Sequence, residues 1–362
     1  MLLVGYSAHA NNPSGRTLHR VRLAEPPGRA QSANRAFRGA GIDLFYFNRV
    51  GLSRMVEPLS ADEAVRRVQD FFSRDSERRS WPWRHWVALP MVERAVNRRI
   101  GGAPDRTLPQ TLAEALPELG LRLPAARTAS LGCGRGRFDR DLFRHRVVEA
   151  LVGYDLSPDS VEAADRWARS AGIESFAYRQ ADLNTIELEP QAFDLVVVQM
   201  ALHHTQELER LYETIARALK PGGLLVADEY VGPTRFFWTE RQMQAVNGLL
   251  TVLPPEKRMT PDGDFKPLIE RQPPSYFEQT DPSEAIRSRE VVARLEECFE
   301  IRWRRPYGGA ILHPLLYNIA WTFKEGDPVS ETLLASAIAI EDVLTEAGDL
   351  DSDFAVIIAS PR

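Results

Sequence analysis

The sequence predicts a doubly wound α/β fold, Rossmann-like, with a mostly parallel sheet and helices on both faces. Three observations predict it. Short, nearly continuous apolar runs recur after residue 125, as in Asp194-Leu195-Val196-Val197-Val198. Such runs suit strands buried on both sides. Amphipathic helical runs fall between consecutive strands, at about Ser157–Ala171 and Gln206–Leu219. That order calls for parallel pairing through right-handed crossovers. Finally, a glycine-rich loop follows the first strand run, Gly132-Cys133-Gly134-Arg135-Gly136, where open sheets place a ligand.

Each element follows from its own pattern. Residues 1–58 contain Arg16, Arg20, Arg22, Arg29, Arg35 and Arg38 and show little periodicity. They read as a disordered or irregular extension, with a basic arm or targeting peptide as the other reading. Residues 59–124 read as a helical cap. Ser60-Ala61-Asp62-Glu63 is a capping box, and Ala64, Val65, Val68, Phe71 and Phe72 follow on one helical face. A second helix is expected over Val87 to Ile100, stopping at Gly101-Gly102. Between them, Trp81, Trp83 and Trp86 suit either a ligand lid or helix packing. From residue 125 the expected strands are Arg127–Leu131, Val148–Tyr154, Ser175–Arg179, Phe193–Met200, Gly223–Asp228, Phe299–Trp303 and Phe354–Ala359, with a helix over Ser330–Ala347. Residues 232–297 are rich in Pro and polar residues and read as an insertion over the carboxyl edge of the sheet.

Composition narrows the function. The 362 residues are 44% hydrophobic and 26% charged, which excludes a low-complexity or fibrous chain. No window approaches eighteen uninterrupted apolar residues, and no initial apolar block resembles a signal peptide. Cys133 and Cys298 are too few for a disulfide framework or a cysteine-only zinc site, so a reducing, cytoplasmic compartment is expected. Charge is uneven. Residues 1–110 carry 18 Arg against 10 acidic residues, whereas the remaining 252 carry 27 basic against 40 acidic ones. An acidic body repels a phosphate backbone, so nucleic acid is not an expected partner, and neither is a membrane. Oligomeric state is not legible.

The chemistry concentrates in a few segments. Gly132, Gly134 and Gly136 let the backbone turn sharply and approach a ligand. In the dinucleotide fingerprint the third glycine comes one residue later, where this chain has Arg137. Asp155 ends the next strand, 21 residues after Gly134, and a carboxylate there can accept both ribose hydroxyls. Its alternative is a helix cap, a role Ser157 already fits. Asp182 follows the third strand, and Gln199-Met200-Ala201-Leu202-His203-His204 leaves the fourth.

Taken in order, these residues resemble the class I S-adenosylmethionine-dependent methyltransferases over roughly residues 125–230. The resemblance implies a seven-stranded sheet whose last strand runs antiparallel, and S-adenosyl-L-methionine as cofactor. It implies that Gly132, Cys133, Gly134 and Gly136 face the methionine part and that Asp155 binds the ribose. Leu156, Asp182 and Leu183 would flank the adenine, and Gln199 and Met200 would lie near the sulfonium. The family usually has Asp or Glu two residues before the first glycine; here Ser130 stands there, so another group must take over its contact. Asp228–Trp238 and Asp281–Ser288 resemble a bacterial subgroup associated with glycan or secondary-metabolite modification.

The implied reaction is methyl transfer to a small-molecule acceptor: a natural product, sugar or glycan, at oxygen or carbon. An acceptor hydroxyl needs a base, worth roughly 10²–10⁴ in rate. His204 is the preferred candidate, then His203, Glu229 and Tyr230. Metal is not expected, because no carboxylate stands at ligand spacing from His203-His204 in the sequence. The Asp/Asn-Pro-Pro segment of amino-methylating enzymes is absent; Gln199-Met200-Ala201-Leu202 occupies its place. A nicotinamide-dependent oxidoreductase and a non-catalytic cofactor-binding protein are the competing readings.

Overall fold

A computed structural model describes residues 63, 65–69 and 85–362. The expectations for residues 1–58, Ser60, Trp81 and Trp83 lie outside the described residues. The elements are α1 (Pro90–Gly101), α2 (Leu108–Glu118), β1 (Thr128–Leu131), α3 (Arg137–Arg144), β2 (Leu151–Asp155), α4 (Pro158–Ser170), β3 (Phe176–Gln180), β4 (Phe193–Gln199), α5 (Leu208–Ala218) and β5 (Leu219–Tyr230). The chain continues with α6 (Glu240–Val252), α7 (Pro274–Gln279), α8 (Val291–Cys298), β6 (Phe299–Gly308), α9 (Leu312–Leu316), α10 (Pro328–Glu346) and β7 (Phe354–Pro361).

The seven strands form one sheet in the order β3-β2-β1-β4-β5-β7-β6. Strands β1 to β5 pair in parallel, and β7 runs antiparallel to both β5 and β6. The fold is therefore the doubly wound, mostly parallel class with an antiparallel last strand. Strand order reverses between β1 and β4, the switch point at whose carboxyl edge open sheets bind ligands.

Alternation along the strands divides the core in two. Ala129, Leu131, Val196, Val198, Leu225, Ala227, Ala355 and Ile357 face Leu211, Tyr212 and Ile215 of α5 and Leu295 of α8. Leu195, Val197, Leu224, Val226 and Ile358 face Leu112 and Leu116 of α2 and Ala164 and Ala168 of α4. Each buried leucine contributes about 1.5–3 kcal/mol relative to exposure. Both faces are covered, which is why the strands read as continuous apolar runs.

The N-terminal helices attach through a buried charge. Arg99 of α1 donates to Glu341 Oε1 at 2.8 Å, to Asp342 Oδ1 at 2.6 Å and to the Tyr307 carbonyl at 2.9 Å. Glu341, fully buried, also accepts the backbone N–H groups of Gly309, Ile311 and Leu312. It thereby caps the amino end of α9 from a distant helix. Gly308 makes the approach possible, because a Cβ there would lie 2.1 Å from Arg99 Nη1.

The 232–297 segment is more ordered than its composition suggests. It carries α6, α7 and α8, and α6 opens on a capping box in which Thr239 and Gln242 bond reciprocally. Trp86 is buried and tilts against Phe354 at 5.3 Å and His313 at 6.4 Å. Phe236 and Trp238 stack at 5.7 Å inside the same aromatic cluster, whereas Phe237 is exposed.

Candidate functional site

The glycine loop is built by three residues in the left-handed region, Gly132 (φ 67°), Gly134 (φ 52°) and Gly136 (φ 69°). Gly132 and Cys133 donate to the Tyr154 carbonyl of β2, and the Gly134 N–H donates to Asp155 Oδ2 at 2.8 Å. Asp155 Oδ1 accepts the Ser157 N–H at 2.9 Å, while Ser157 Oγ caps α4 by accepting the Ser160 N–H. Asp155 therefore fixes the loop that it faces.

Above Gly134, a Cβ would meet nothing within 4 Å among the described residues. Leu156, Asp182 and Leu183 are half-buried at the neighbouring strand ends, and Met200 (φ 53°) is exposed. Asp182 Oδ1 accepts both the backbone N–H and the side-chain amide of Asn184, which orders the loop after β3. A glycine cradle, a carboxylate at the end of β2 and half-buried apolar edges fit a nucleoside carrying a charged amino-acid tail. Cys133 is different. Its sulfur would lie 3.0 Å from a Cβ on Gly153, so the thiol points beneath the loop, and burial pushes its pKa well up.

A buried acid lies against Ser130. Ser130 Oγ donates to Asp139 Oδ1 at 2.7 Å, and Asp139 is buried in the first turn of α3. Burial pushes its carboxyl up to about 6, against the lowering effect of the Ser130 bond. The sequence signal was only an acid in a first helical turn, which ordinarily reads as a dipole partner.

Gln199 is anchored rather than loose. Its Nε2 donates to Asp228 Oδ2 at 2.9 Å, and the Tyr307 hydroxyl donates to Asp228 Oδ1 at 2.8 Å. One of the two amide hydrogens is thereby committed to Asp228, which sets the orientation of the Gln199 amide.

The four catalytic candidates separate by geometry. Glu229 is fully buried and accepts the N–H groups of Ala201 (2.9 Å), Leu202 (2.7 Å) and Tyr230 (2.7 Å), as well as His203 Nδ1–H. Tyr230 is buried, and its hydroxyl donates to the Pro233 carbonyl. Glu229 thus spends its hydrogen bonds on the turn after β4 and on His203, and Tyr230 spends its hydroxyl on the Pro233 carbonyl. His203 is 5% exposed. Burial alone would lower its pKa, but the Glu229, Glu284 and Asp281 carboxylates raise it.

His204, preferred on sequence, is half-buried. Its Nδ1 meets Ser283 Oγ at 3.0 Å, and that hydroxyl donates to Asp281 Oδ1 at 2.6 Å. The hydroxyl proton is committed to Asp281, so His204 donates through Nδ1–H and carries its lone pair on Nε2. The 281–288 loop is held there by the Ile286 N–H bonding to the His203 carbonyl at 3.0 Å. The 232–297 segment thus brings Asp281, Ser283 and Glu284 beside the histidine pair. Their separation of about 80 residues from His203 and His204 left no local pattern to find.

Residues 129–227 match the family model described as a methyltransferase domain. This segment is a methyltransferase domain. Among curated proteins, the uncharacterized methyltransferase YcgJ of Bacillus subtilis is 27% identical over 120 residues, covering 31% of this chain and 47% of that protein. The sterol 24-C-methyltransferase of Candida albicans is 27% identical over 121 residues, 33% of this chain and 32% of that one. The ubiquinone biosynthesis O-methyltransferase of Methylobacterium nodulans is 26% identical over 141 residues, 39% and 50% respectively. The chain spans half or less of the length of these relatives. A solved S-adenosylmethionine-dependent methyltransferase from Mesorhizobium loti is 24% identical over 69% of this chain and 98% of that one, with a TM-score of 0.39. The methyltransferase domain contains β1 to β4, α3 to α5 and most of β5, and so carries the glycine loop, Asp155 and both histidines. Among the described residues, no helix is long and apolar enough to cross a membrane.

Proposed function

We propose that the whole chain transfers a methyl group from S-adenosyl-L-methionine to a small-molecule acceptor, a natural product, sugar or glycan, at oxygen or carbon. One observation carries this reading. The glycine loop and the histidine segment pack together, since a Cβ on Gly132 would lie 2.3 Å from Ala201 Cβ. The cofactor cradle and the His203-His204 pair are therefore neighbours at one sheet edge. Bound S-adenosylmethionine would supply a methyl group on an electrophilic sulfonium, which leaves as a neutral sulfide. This chain's residues then have three tasks. Asp155 and the loop hold the nucleoside. Gln199, fixed by Asp228, presents its carbonyl oxygen toward the methyl. His204, oriented by Ser283 and Asp281, accepts the acceptor's proton at Nε2 as the nucleophile is positioned. Relatives named for sterol and ubiquinone chemistry act at carbon and oxygen respectively, so they leave both atom types open.

Two expected outcomes test the reading. Calorimetry with S-adenosylhomocysteine should show binding by the wild type, and Asp155→Ala should weaken it by about 10- to 150-fold, matching the roughly 1.5–3 kcal/mol of hydrogen bonds to a charged group. Preference for NAD would instead support the oxidoreductase reading. With an accepted hydroxyl substrate, His204→Ala should lower kcat by about 10² while cofactor affinity stays within a few-fold. Near-normal turnover would remove His204 as the base.

A further inference from the structure

Two buried ring nitrogens in one aromatic cluster make no hydrogen bond among the described residues: His313 Nδ1 of α9 and Trp238 Nε1. Phe236 joins them, its ring 5.7 Å from each. His313 also meets Phe354 at 5.3 Å, Tyr230 at 6.2 Å and Trp86 at 6.4 Å. A buried polar atom left unpaired costs stability, and native proteins hold few of them. Two in one cluster call for a partner.

The cluster stands at the sheet edge that carries the histidine pair. Tyr230 ends β5, Phe354 begins β7, and the two residues pair there. The Tyr230 ring lies 6.0 Å from His203 as well as 6.2 Å from His313. Arg235 (φ 54°) and Phe236 (φ 52°) are successive non-glycine residues in the left-handed region, which bulky residues rarely adopt. Arg235 fixes this turn by donating to the Pro282 and Glu284 carbonyls at 2.7 and 2.8 Å. One strained turn therefore seats Phe236 against His313 and ties it to the loop whose Ser283 meets His204. His313 as a residue is half-buried although its Nδ1 is covered, so the cluster reaches the surface.

The two nitrogens narrow the occupant. Trp238 Nε1–H only donates. His313 stays neutral, because burial and the positive charges of Lys266, His85 and His203 push its pKa down to about 3. A neutral imidazole offers one donor or one acceptor at Nδ1. A ring hydroxyl suits this set, since it can accept from one nitrogen and donate to the other. A sugar brings more hydroxyls than two atoms can pair, and a plain isoprenoid chain brings none. The surrounding rings favour a flat apolar body. We propose that this cluster receives the body of the methyl acceptor, and that the acceptor is an uncharged, hydroxylated aromatic ring whose oxygens pair with Trp238 Nε1–H and His313 Nδ1. The word acceptor rests on the methyl-transfer reading; the ring site does not. Both nitrogens are covered by neighbouring rings, so the ligand enters by parting Phe236 from His313 at the strained turn.

The test is calorimetric titration of the full-length protein with 2-naphthol, with and without S-adenosylhomocysteine. Saturable, stoichiometric binding is expected. Methyl β-glucoside and geraniol should bind more weakly by roughly 10-fold or more, because each leaves polar atoms unpaired. Trp238→Phe and His313→Phe keep a ring and remove the nitrogen. Each should weaken 2-naphthol binding by about 2- to 12-fold, the range for one net hydrogen bond, while Tm stays level or rises because an unpaired polar atom has left the interior. Binding of 2-naphthol by a protein that does not bind S-adenosylhomocysteine would uphold the ring site and remove only the methyl-transfer reading. No saturable binding up to millimolar 2-naphthol would overturn the proposal. So would equal affinity in wild type and both variants, or tighter binding of methyl β-glucoside than of 2-naphthol.

Discussion

Glu229→Ala is expected to destabilise the protein by about 3–5 kcal/mol, the range for removing one partner of a buried ionic group. The carboxylate is fully buried and accepts three backbone N–H groups and His203. Truncation would orphan all four donors in a site that water does not reach. Glu229→Gln keeps one acceptor oxygen and should cost less, about 1–3 kcal/mol. The pair also has a pH signature. His203 has a raised pKa in the folded chain. The stabilisation that it gains from Glu229 is therefore complete below its unfolded pKa of about 6.5 and fades as pH rises through the higher folded value. The cost of Glu229→Ala should accordingly be largest on the acid side of neutrality and smaller on the alkaline side. Urea unfolding at several pH values measures this. A cost below about 1 kcal/mol throughout would mean that Glu229 does not organise the turn after β4.

The difference between Glu229 and Asp155 shows what a sequence can reveal about a site. Asp155 was legible because its partner, the glycine loop, lies 21 residues away within one strand–helix–strand unit. The geometry of that unit is generic, so spacing alone predicts the meeting. Glu229 was legible as a residue at a strand's carboxyl end but not as an orienting group. Its role depends on pairing between β4 and β5 and on a turn that aims the Ala201 and Leu202 N–H groups at one carboxylate. Asp281, Ser283 and Glu284 were less legible still, because they arrive on a loop of the insertion that no periodicity places. The strands show the same gradient. Apolar runs located all seven, yet β5 begins at Leu219 rather than Gly223, and β6 extends to Gly308. Lys220 to Gly223 fall in an irregularity between the Phe193–Leu219 and Leu195–Leu224 pairs, whereas the polar and Gly-Pro-rich stretch from Arg304 to Gly308 takes strand form by pairing with β7. In the insertion the Pro content concealed α6, although its Thr239–Gln242 box was a readable start signal.

Gly132→Ala should abolish measurable cofactor binding and cost about 2–5 kcal/mol of stability. Two penalties combine. A non-glycine residue at φ 67° costs about 1–2 kcal/mol. Its Cβ would also meet Ala201 Cβ at 2.3 Å, and overpacking of this kind costs about 1–3 kcal/mol. Neither partner can retreat easily. Gly132 is held by the Tyr154 carbonyl, and Ala201 by Glu229. The strain must then displace the loop from the open cradle or the turn that carries His203 and His204. A control isolates the first penalty: Gly102 has φ 79°, and a Cβ there would meet nothing within 4 Å. Gly102→Ala should cost only about 1–2 kcal/mol and leave cofactor affinity intact. A rescue isolates the second. Replacing Ala201 with glycine in the Gly132→Ala background removes the opposing methyl, and S-adenosylhomocysteine affinity should recover at least 10-fold relative to Gly132→Ala alone. Thermal unfolding and calorimetry on the four proteins measure both effects. If the double variant binds no better than Gly132→Ala, the clash does not transmit the damage, and the packing of cradle against histidine segment is not what holds the two halves of the site together.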